Sequence, residues 1–371
     1  MPEIERRSLL EKPSSPRIHV LADRQTIRWK NRLIEELSFG PHPARNDVGE
    51  YSTGQYYIAS FSDALVDIKM GCVVVNGRDV WSDSATFTIM HGPVDRSPAI
   101  VADGDQRFLN LDAPPPRLAI DGPAMMISHW GCLLGNYGHW MMNSLLPVVM
   151  MIDEIKAKKI ALIVPTLPPR WRDELLLLGV PESQIVETAD QYVVVSHLLY
   201  PSTVSTASNN YPAPFGLQVF DAARRAVAPS PDLPSPELLY VSRVGAKHWR
   251  TMTNEAELSA ALEALGFTAI YPHDMTWAEQ IAAFTKAKVI VGQFGAALWS
   301  IPFSPKGGAL IEITTSNYGN HEYAAVANLM EKDVILIGSE PTSMVASYHF
   351  DFEAPLDKVM DAAKAMAVRY S

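Results

Sequence analysis

The feature that most narrows the fold of this chain is a rhythm in its last third, where short apolar runs alternate with stretches of helical pattern. Leu238–Ser242, Phe267–Tyr271, Lys288–Gly292, Ala309–Ile313 and Val334–Ile337 each read as a short buried strand. Helices fit between them. Asn254, with Glu257 three residues later, predicts a helix start, followed by a face of Leu258, Ala261, Leu262 and Leu265 and a stop at Gly266. Thr276 and Glu279 predict a capping box ahead of Ile281 and Phe284. Strands and helices alternating at this spacing imply a mostly parallel sheet with right-handed crossovers and helices on both faces, a Rossmann-like half.

The region from about Met125 to Val227 has a similar pattern: a helix through Trp140 to Ile152, a strand at Ile160–Val164, a helix through Trp171 to Leu178, and strands near Gln184–Glu187 and Tyr192–Leu198. Ahead of it, Tyr56–Phe61, Val73–Val75, Thr86–Met90 and Ile100–Ala102 are short segments separated by Gly, Asn and Asp, which predicts an antiparallel β-rich lead-in. Ala228–Pro236 carries four prolines in nine residues and reads as a stiff linker. The fold expected is α/β, with two Rossmann-like domains facing a cleft. Residues 1–228 form the lead-in and first domain, residues 237–345 form the second, and residues 346–371 contain a helix, Leu356 to Tyr370, that packs back on the first. A chain of 371 residues, 47% hydrophobic and 19% charged, supports two such cores.

A formal net charge of −10 argues against a broad surface for nucleic acid or anionic lipid, while leaving room for local basic pockets. The first residues, MPEIERRSLLEKPSSPR, contain no apolar signal core, and the longest apolar stretches are too short to span a bilayer. The expectation is a cytoplasmic protein whose membrane contact, if any, is peripheral to the inner face. Cys72 and Cys132 have no metal-ligand spacing and read as small core residues.

Three segments carry candidate chemistry. The first, "GQFGAA" at Gly292, Gln293, Phe294, Gly295, Ala296 and Ala297, follows a strand and opens a helix, so its backbone is cleared of side chains where open α/β sheets bind ligands. Free N–H groups there suit a phosphate, and tight strand-to-helix packing is the alternative. It is neither G-x-G-x-x-G nor a Walker loop. The second is Tyr240–Arg250, where a strand end delivers Arg243, Lys247 and Arg250 into a loop, either as a diphosphate clamp or as a solvated basic turn. In the third, Gly135–Pro147, His139 and Asn143 stand four apart on one helical face. Histidine takes a proton near neutral pH, whereas asparagine only orients; a structural histidine is the alternative.

Together, "NYGHWMMNSLLP", "YVSRVGAKHWRTMTNEAEL" and "MTWAEQIAAFTKAKVIVGQFGAALWSIPFSPKGGALIEI" resemble, in order, the motifs of glycosyltransferase family 61, also described as DUF563, a group that includes proteins of capsular polysaccharide biosynthesis. The resemblance spans roughly Asn136 to Ile313. It implies a GT-B architecture and an inverting, metal-independent transfer from a nucleotide-sugar, with a UDP-sugar the expected donor, to a glycan or lipid-linked glycan in surface polysaccharide assembly. No cofactor is implied. Arg243 and Arg250 are then expected at the donor diphosphate, with Lys247 beside them, the Gly292–Ala297 loop against the donor, and Glu312 at its ribose.

The chain departs from the family pattern twice. Many relatives have Asp or Glu four residues after the motif histidine, an attractive base, where this chain has Asn143. Many read G-x-H-G-A, where this chain has Phe294. Either His139 takes the base role, or another carboxylate supplies it, or the protein binds nucleotide-sugar or glycan on a scaffold that no longer catalyses transfer. A doubled-Rossmann epimerase or dehydrogenase is disfavoured, since no dinucleotide fingerprint lies near the amino terminus.

Overall fold

A computed structural model of the chain describes residues 9–28, 33–36, 50–68, 71–75, 79–81, 100–103, 106–109, 118–127, 137–190, 192–202, 212–227, 232–246, 250–315, 321–346 and 349–370. The chain divides into two compact units, one of residues 1–25 and 53–226, the other of residues 26–52 and 227–371.

The first unit is built on one mixed sheet. Its strands, numbered in chain order, are β1 (Arg17–Ala22), β5 (Tyr56–Asp67), β6 (Cys72–Val75), β7 (Asp79–Val80), β10 (Leu118–Met126), β11 (Ala161–Pro165), β12 (Ile185–Thr188) and β13 (Tyr192–Pro201), ordered β12-β11-β10-β13-β5-β6-β7 with β1 also on β5. Strands β10 to β13 are parallel neighbours in the spatial order third, second, first, fourth. From β13 onward the pairing is antiparallel. The β-rich lead-in is therefore not a separate layer. β5 is twelve residues long and pairs along β13 from Asp67↔Tyr192 to Ile58↔Pro201, which fuses it to the Rossmann-like strands. Burial explains this: Ala59, Phe61, Ala64 and Val66 join Val193, Val195 and Leu198 in one core. A small pair, β8 (Ile100–Asp103) with β9 (Gln106–Leu109), matches the segment expected at Ile100; Thr86–Met90 lies outside the described residues. Cys72 is buried, as expected of a core residue, and Cys132 lies outside the described residues.

A helical run follows β10: Tyr137–His139, a π-helical turn Trp140–Ser144, and Leu145–Met150, together α1. Next come α2 (Ile152–Lys156), α3 (Pro169–Leu177) and α4 (Gln218–Ala226).

The second unit holds a six-stranded sheet that is parallel throughout, of β14 (Leu238–Val241), β16 (Thr268–Ile270), β17 (Val289–Gln293), β18 (Ala309–Thr315), β19 (Asp333–Ser339) and β3 (Leu33–Glu36), ordered β16-β14-β17-β18-β19-β3. All five strands expected here are present. The sixth, β3, comes from near the amino terminus. Smaller pairings join β2 (Thr26–Arg28) to β4 (Glu50–Ser52), and β15 (Arg250–Met252) to β21 (His349–Phe352) and β20 (Pro341–Ala346).

Helices α5 (Glu255–Ala264), α6 (Trp277–Thr285), α7 (Glu322–Leu329) and α8 (Leu356–Tyr370) cover this sheet, with a 3-10 helix at Ala296–Phe303. The capping box at Thr276 and Glu279 forms as expected. At Asn254 the side chain makes no cap; it pairs both ways with the backbone of Ala354 (2.8 and 2.9 Å), tying the start of α5 to the segment before α8. That tie corrects the placement of the last helix. α8 packs on β17, β18 and α5 within the second unit, with Arg369 and the Tyr370 hydroxyl both on Asp333 (3.0 and 2.7 Å).

Candidate functional site

In an open α/β sheet, ligands bind beyond the carboxyl ends of the strands where the strand order reverses. In the second unit the reversal falls between β14 and β17, the neighbours from which later strands run in opposite directions. Both carry sequence-predicted residues at their ends. Arg243 follows β14, and Gln293, Phe294 and Gly295 end β17.

The small residues of the loop make room for neighbouring side chains, and at Gly292 this is the strand-to-helix packing that the sequence offers as one of its two readings. A Cβ on Gly295 would lie 2.0 Å from Arg243 Nη1, so the space cleared at that residue is filled by the guanidinium. Its φ of 166° is extended backbone, which any residue adopts, so it is the guanidinium, and not the main-chain conformation, that a side chain here would displace. A Cβ on Gly292 would lie 2.9 Å from Leu298 Cδ2 and 3.3 Å from Val241 Cβ, a packing constraint between sheet and 3-10 helix. The amides are partly committed as well: Phe294 N–H donates to Ile313 (3.0 Å) and Leu298 N–H to Gly295 (2.9 Å). Ala296 and Ala297, half-buried, open the 3-10 helix.

The second arginine comes to the same loop. Arg250, first residue of β15, places its guanidinium 4.4 Å from the centroid of the Phe294 ring, and Phe294 is fully buried. Phe294 thus stacks on a cation. Two guanidinium groups meet consecutive residues, Phe294 and Gly295, at the reversal of strand order. Lys247 lies outside the described residues.

Two polar side chains on these strands are sealed in. Gln293 is 2% exposed, and neither its amide nitrogen nor its oxygen has a hydrogen-bond partner among the described residues. Glu312, level with Gly292 in the β17–β18 register, is 1% exposed. Burial first, and then the nearby Glu322 charge, pushes its carboxyl up to about 8. A carboxyl enclosed in this way does not present the open ribose contact expected of it.

Sequence reading missed Glu255. This buried carboxylate, at the start of α5, accepts from Tyr240 Oη (2.9 Å), Ser242 Oγ (2.7 Å) and the Arg243 backbone N–H (2.8 Å). It fixes the end of β14, and with it the origin of the Arg243 side chain. Its signal lies in "TNEAEL", which carries a helix start and part of a family motif in the sequence reading, with no role given to Glu255.

In the first unit the parallel strands reverse order between β10 and β13, and α1 follows β10. His139 is half-buried and Asn143 is buried, with Asn143 Nδ2 3.2 Å from His139 Nδ1. The turn between them is π-helical, a form common at functional sites. An anchor sets its position: Trp140 stacks on Trp171 at 4.7 Å, and its Nε1–H donates to Glu174 (2.6 Å), which also accepts from Arg170 Nε (3.2 Å). Burial pushes Glu174 up to about 7 against the pull of Arg170 and Trp140. Glu174, too, was missed.

The tautomer of His139 follows from the amide of Asn143. With Nδ2–H donating to Nδ1, the ring proton sits on Nε2, which is then a donor. With the amide turned over, Oδ1 accepts from Nδ1–H, and the basic lone pair of the ring then sits on Nε2.

Among the described residues, no three His, Cys, Asp or Glu side chains are grouped to hold a metal ion, and no helix is long and apolar enough to cross a membrane.

No curated protein matches the chain. Solved structures that resemble it include the bacterial iron-containing dodecameric glycosyltransferase TibC from enterotoxigenic E.coli H10407 (14% identity, 70% of this chain and 75% of that one, TM-score 0.25). TibC described as a dodecameric iron-containing heptosyltransferase in complex with ADP-D-beta-D-heptose is a second (12% identity, 82% and 79%, TM-score 0.25). Likeness at that level carries no structural argument. The family model described as Glycosyltransferase 61 matches residues 137–311, a span that includes α1, both arginines and the Gly292–Ala297 loop. Over these residues the chain is similar to glycosyltransferase family 61.

Proposed function

We propose that the protein transfers a sugar from a nucleotide-sugar donor, with a UDP-sugar first among candidates, to a glycan or lipid-linked glycan acceptor in surface polysaccharide assembly, with inversion and without a metal ion. The observation that carries this reading is the meeting of Arg243 and Arg250 at Phe294–Gly295. Breaking the anomeric C–O bond leaves negative charge on the departing nucleoside diphosphate. Two guanidinium groups neutralise that charge where it develops and bind phosphate oxygens bidentately. The division of labour is that of a GT-B enzyme, with donor binding in the second unit and acceptor activation in the first. There, His139 Nε2 takes the proton of the attacking acceptor hydroxyl while Asn143 Oδ1 holds Nδ1–H.

The test is thermal unfolding against nucleoside diphosphates and nucleotide-sugars, each with and without EDTA. A ligand at about 100 times its Kd stabilises the fold by roughly 2.7 kcal/mol. A selective, EDTA-insensitive shift that disappears in Arg243→Ala is the expected result; no shift with any nucleotide overturns the donor site.

A second reading is favoured by Asn143, which lacks the carboxylate that would hold Nδ1–H unconditionally. In that case the protein binds nucleotide-sugar without turning it over, and a broad acceptor panel gives no product while the thermal shift persists.

A further inference from the structure

The carboxyl edge of the second sheet carries an apolar feature that the arginines do not account for. Beside the strand-order reversal, β14 and β16 end in two tight turns packed against each other. The first runs from Arg243 to Ala246, closed by Ala246 N–H to Arg243 C=O at 3.0 Å, with Gly245 at φ +81°. The second runs from Tyr271 to Asp274, closed by Asp274 N–H to Tyr271 C=O at 3.0 Å. A Cβ on Gly245 would lie 3.1 Å from His273 Nε2, so the turns meet through that glycine, which the backbone angle also favours. Each turn lifts one large apolar side chain into solvent: Val244 is 49% exposed and Tyr271 40%. Tyr271 is the only aromatic among the large hydrophobic side chains exposed on the described residues.

Burial would be the default for both side chains, since each lies next to an apolar sheet. What stands beside them is a guanidinium. Arg243 belongs to the first turn and reaches the other way, over Gly295. Tyr271 follows β16, and Gly295, which the guanidinium covers, follows β17; in the sheet these two strands lie two spacings apart, on the order of 10 Å between backbones. That is the span a ribose bridges between a diphosphate and a base.

We infer that Tyr271, with Val244 at its edge, is the platform on which the base of the nucleotide lies. The inference rests on the donor-site reading above. Stacking on an aromatic face tolerates every base, because each has a π-face, so the platform contributes affinity for nucleotides as a class.

Calorimetric titration of UDP, ADP and inorganic pyrophosphate into the wild type, Tyr271→Ala, Tyr271→Phe and Arg243→Ala separates the two ideas. Tyr271→Ala should weaken both nucleotides about five- to 150-fold, the range that corresponds to loss of one stacked base, and leave pyrophosphate unchanged. Tyr271→Phe should bind nucleotides like the wild type, and Arg243→Ala should weaken all three ligands. If Tyr271→Ala binds nucleotides as tightly as the wild type while Arg243→Ala does not, the platform is wrong and the donor site stands. If pyrophosphate binds the wild type as tightly as UDP and ADP, the base contributes nothing and the platform is equally wrong. If neither nucleotide binds the wild type, both readings fall together.

Discussion

The two sheets each put a candidate group where their strand order reverses, but by opposite means. In the second unit the group is placed by subtraction: Gly295 gives up its side chain, and Arg243 occupies the space. In the first unit it is placed by addition: a widened helical turn is wedged by Trp140, Trp171, Glu174 and Arg170 so that His139 comes to Asn143. The difference follows from the demands on each group. A guanidinium carries its own rigid fork of donors, so a steric niche that orients the fork suffices. An imidazole that moves a proton needs one nitrogen free and the other held, so its surroundings are specified at single hydrogen bonds.

Five variants break or sharpen that contrast, and the largest effect belongs to the specified site. His139→Asn should lower turnover about 10²- to 10⁴-fold with nucleotide binding intact. Asn143→Asp should raise turnover above wild type by holding Nδ1–H with a charge; equal rates in wild type and His139→Asn would remove the imidazole from the mechanism. Next come the two buried carboxyls, both raised. Each contributes stability that is complete below its ordinary value of 4.5 and is lost as pH rises through the folded value, about 7 for Glu174 and about 8 for Glu312. Glu312→Gln should therefore gain on the wild type from pH 5 to pH 8, by on the order of 3 kcal/mol in urea melts. A difference that stays flat with pH would mean that Glu312 ionises freely.

Glu255→Ala should cost about 2–3 kcal/mol by leaving three donors at the end of β14 without their acceptor, and should weaken nucleotide binding by releasing Arg243. The mildest change is the most informative. Gly295→Ala meets only the flexible end of Arg243, so stability should fall by less than about 1 kcal/mol while nucleotide affinity drops about tenfold. A variant that binds normally would mean that Arg243 acts from a position other than the one over Gly295.

The same contrast explains what was legible in the sequence. The parallel sheet is buried on both faces, so Val289–Gln293 and Ala309–Thr315 appear as uninterrupted apolar runs, and all five expected strands were found. Arg243, Arg250 and the glycine loop were legible because cations and glycines at strand ends are rare local signals. Their mutual arrangement was not, since the contact between Gly295 and Arg243 spans two strands. Glu255 and Glu174 were invisible for a related reason. A glutamate in a helix reads as solvated surface, and only the fold shows that three donors, or a tryptophan and an arginine, close on it. The fusion of β5 to β13 likewise depends on a pairing between segments more than a hundred residues apart, which periodicity does not encode.

The sixth strand of the second sheet has a consequence for synthesis on the ribosome. Leu33–Glu36 pairs with Val334–Ile337, so this strand leaves the exit tunnel long before its partner is made. The strands β14, β16, β17, β18 and β19 must all be translated before β3 can take its place in the sheet. Until then β3 lacks its partner and the nascent sheet ends at β18, an unpaired parallel edge of the kind that recruits stray strands. Vectorial folding from the amino terminus is thus ruled out for this half of the molecule, and a chaperone that shields that edge would act on the last step of its assembly.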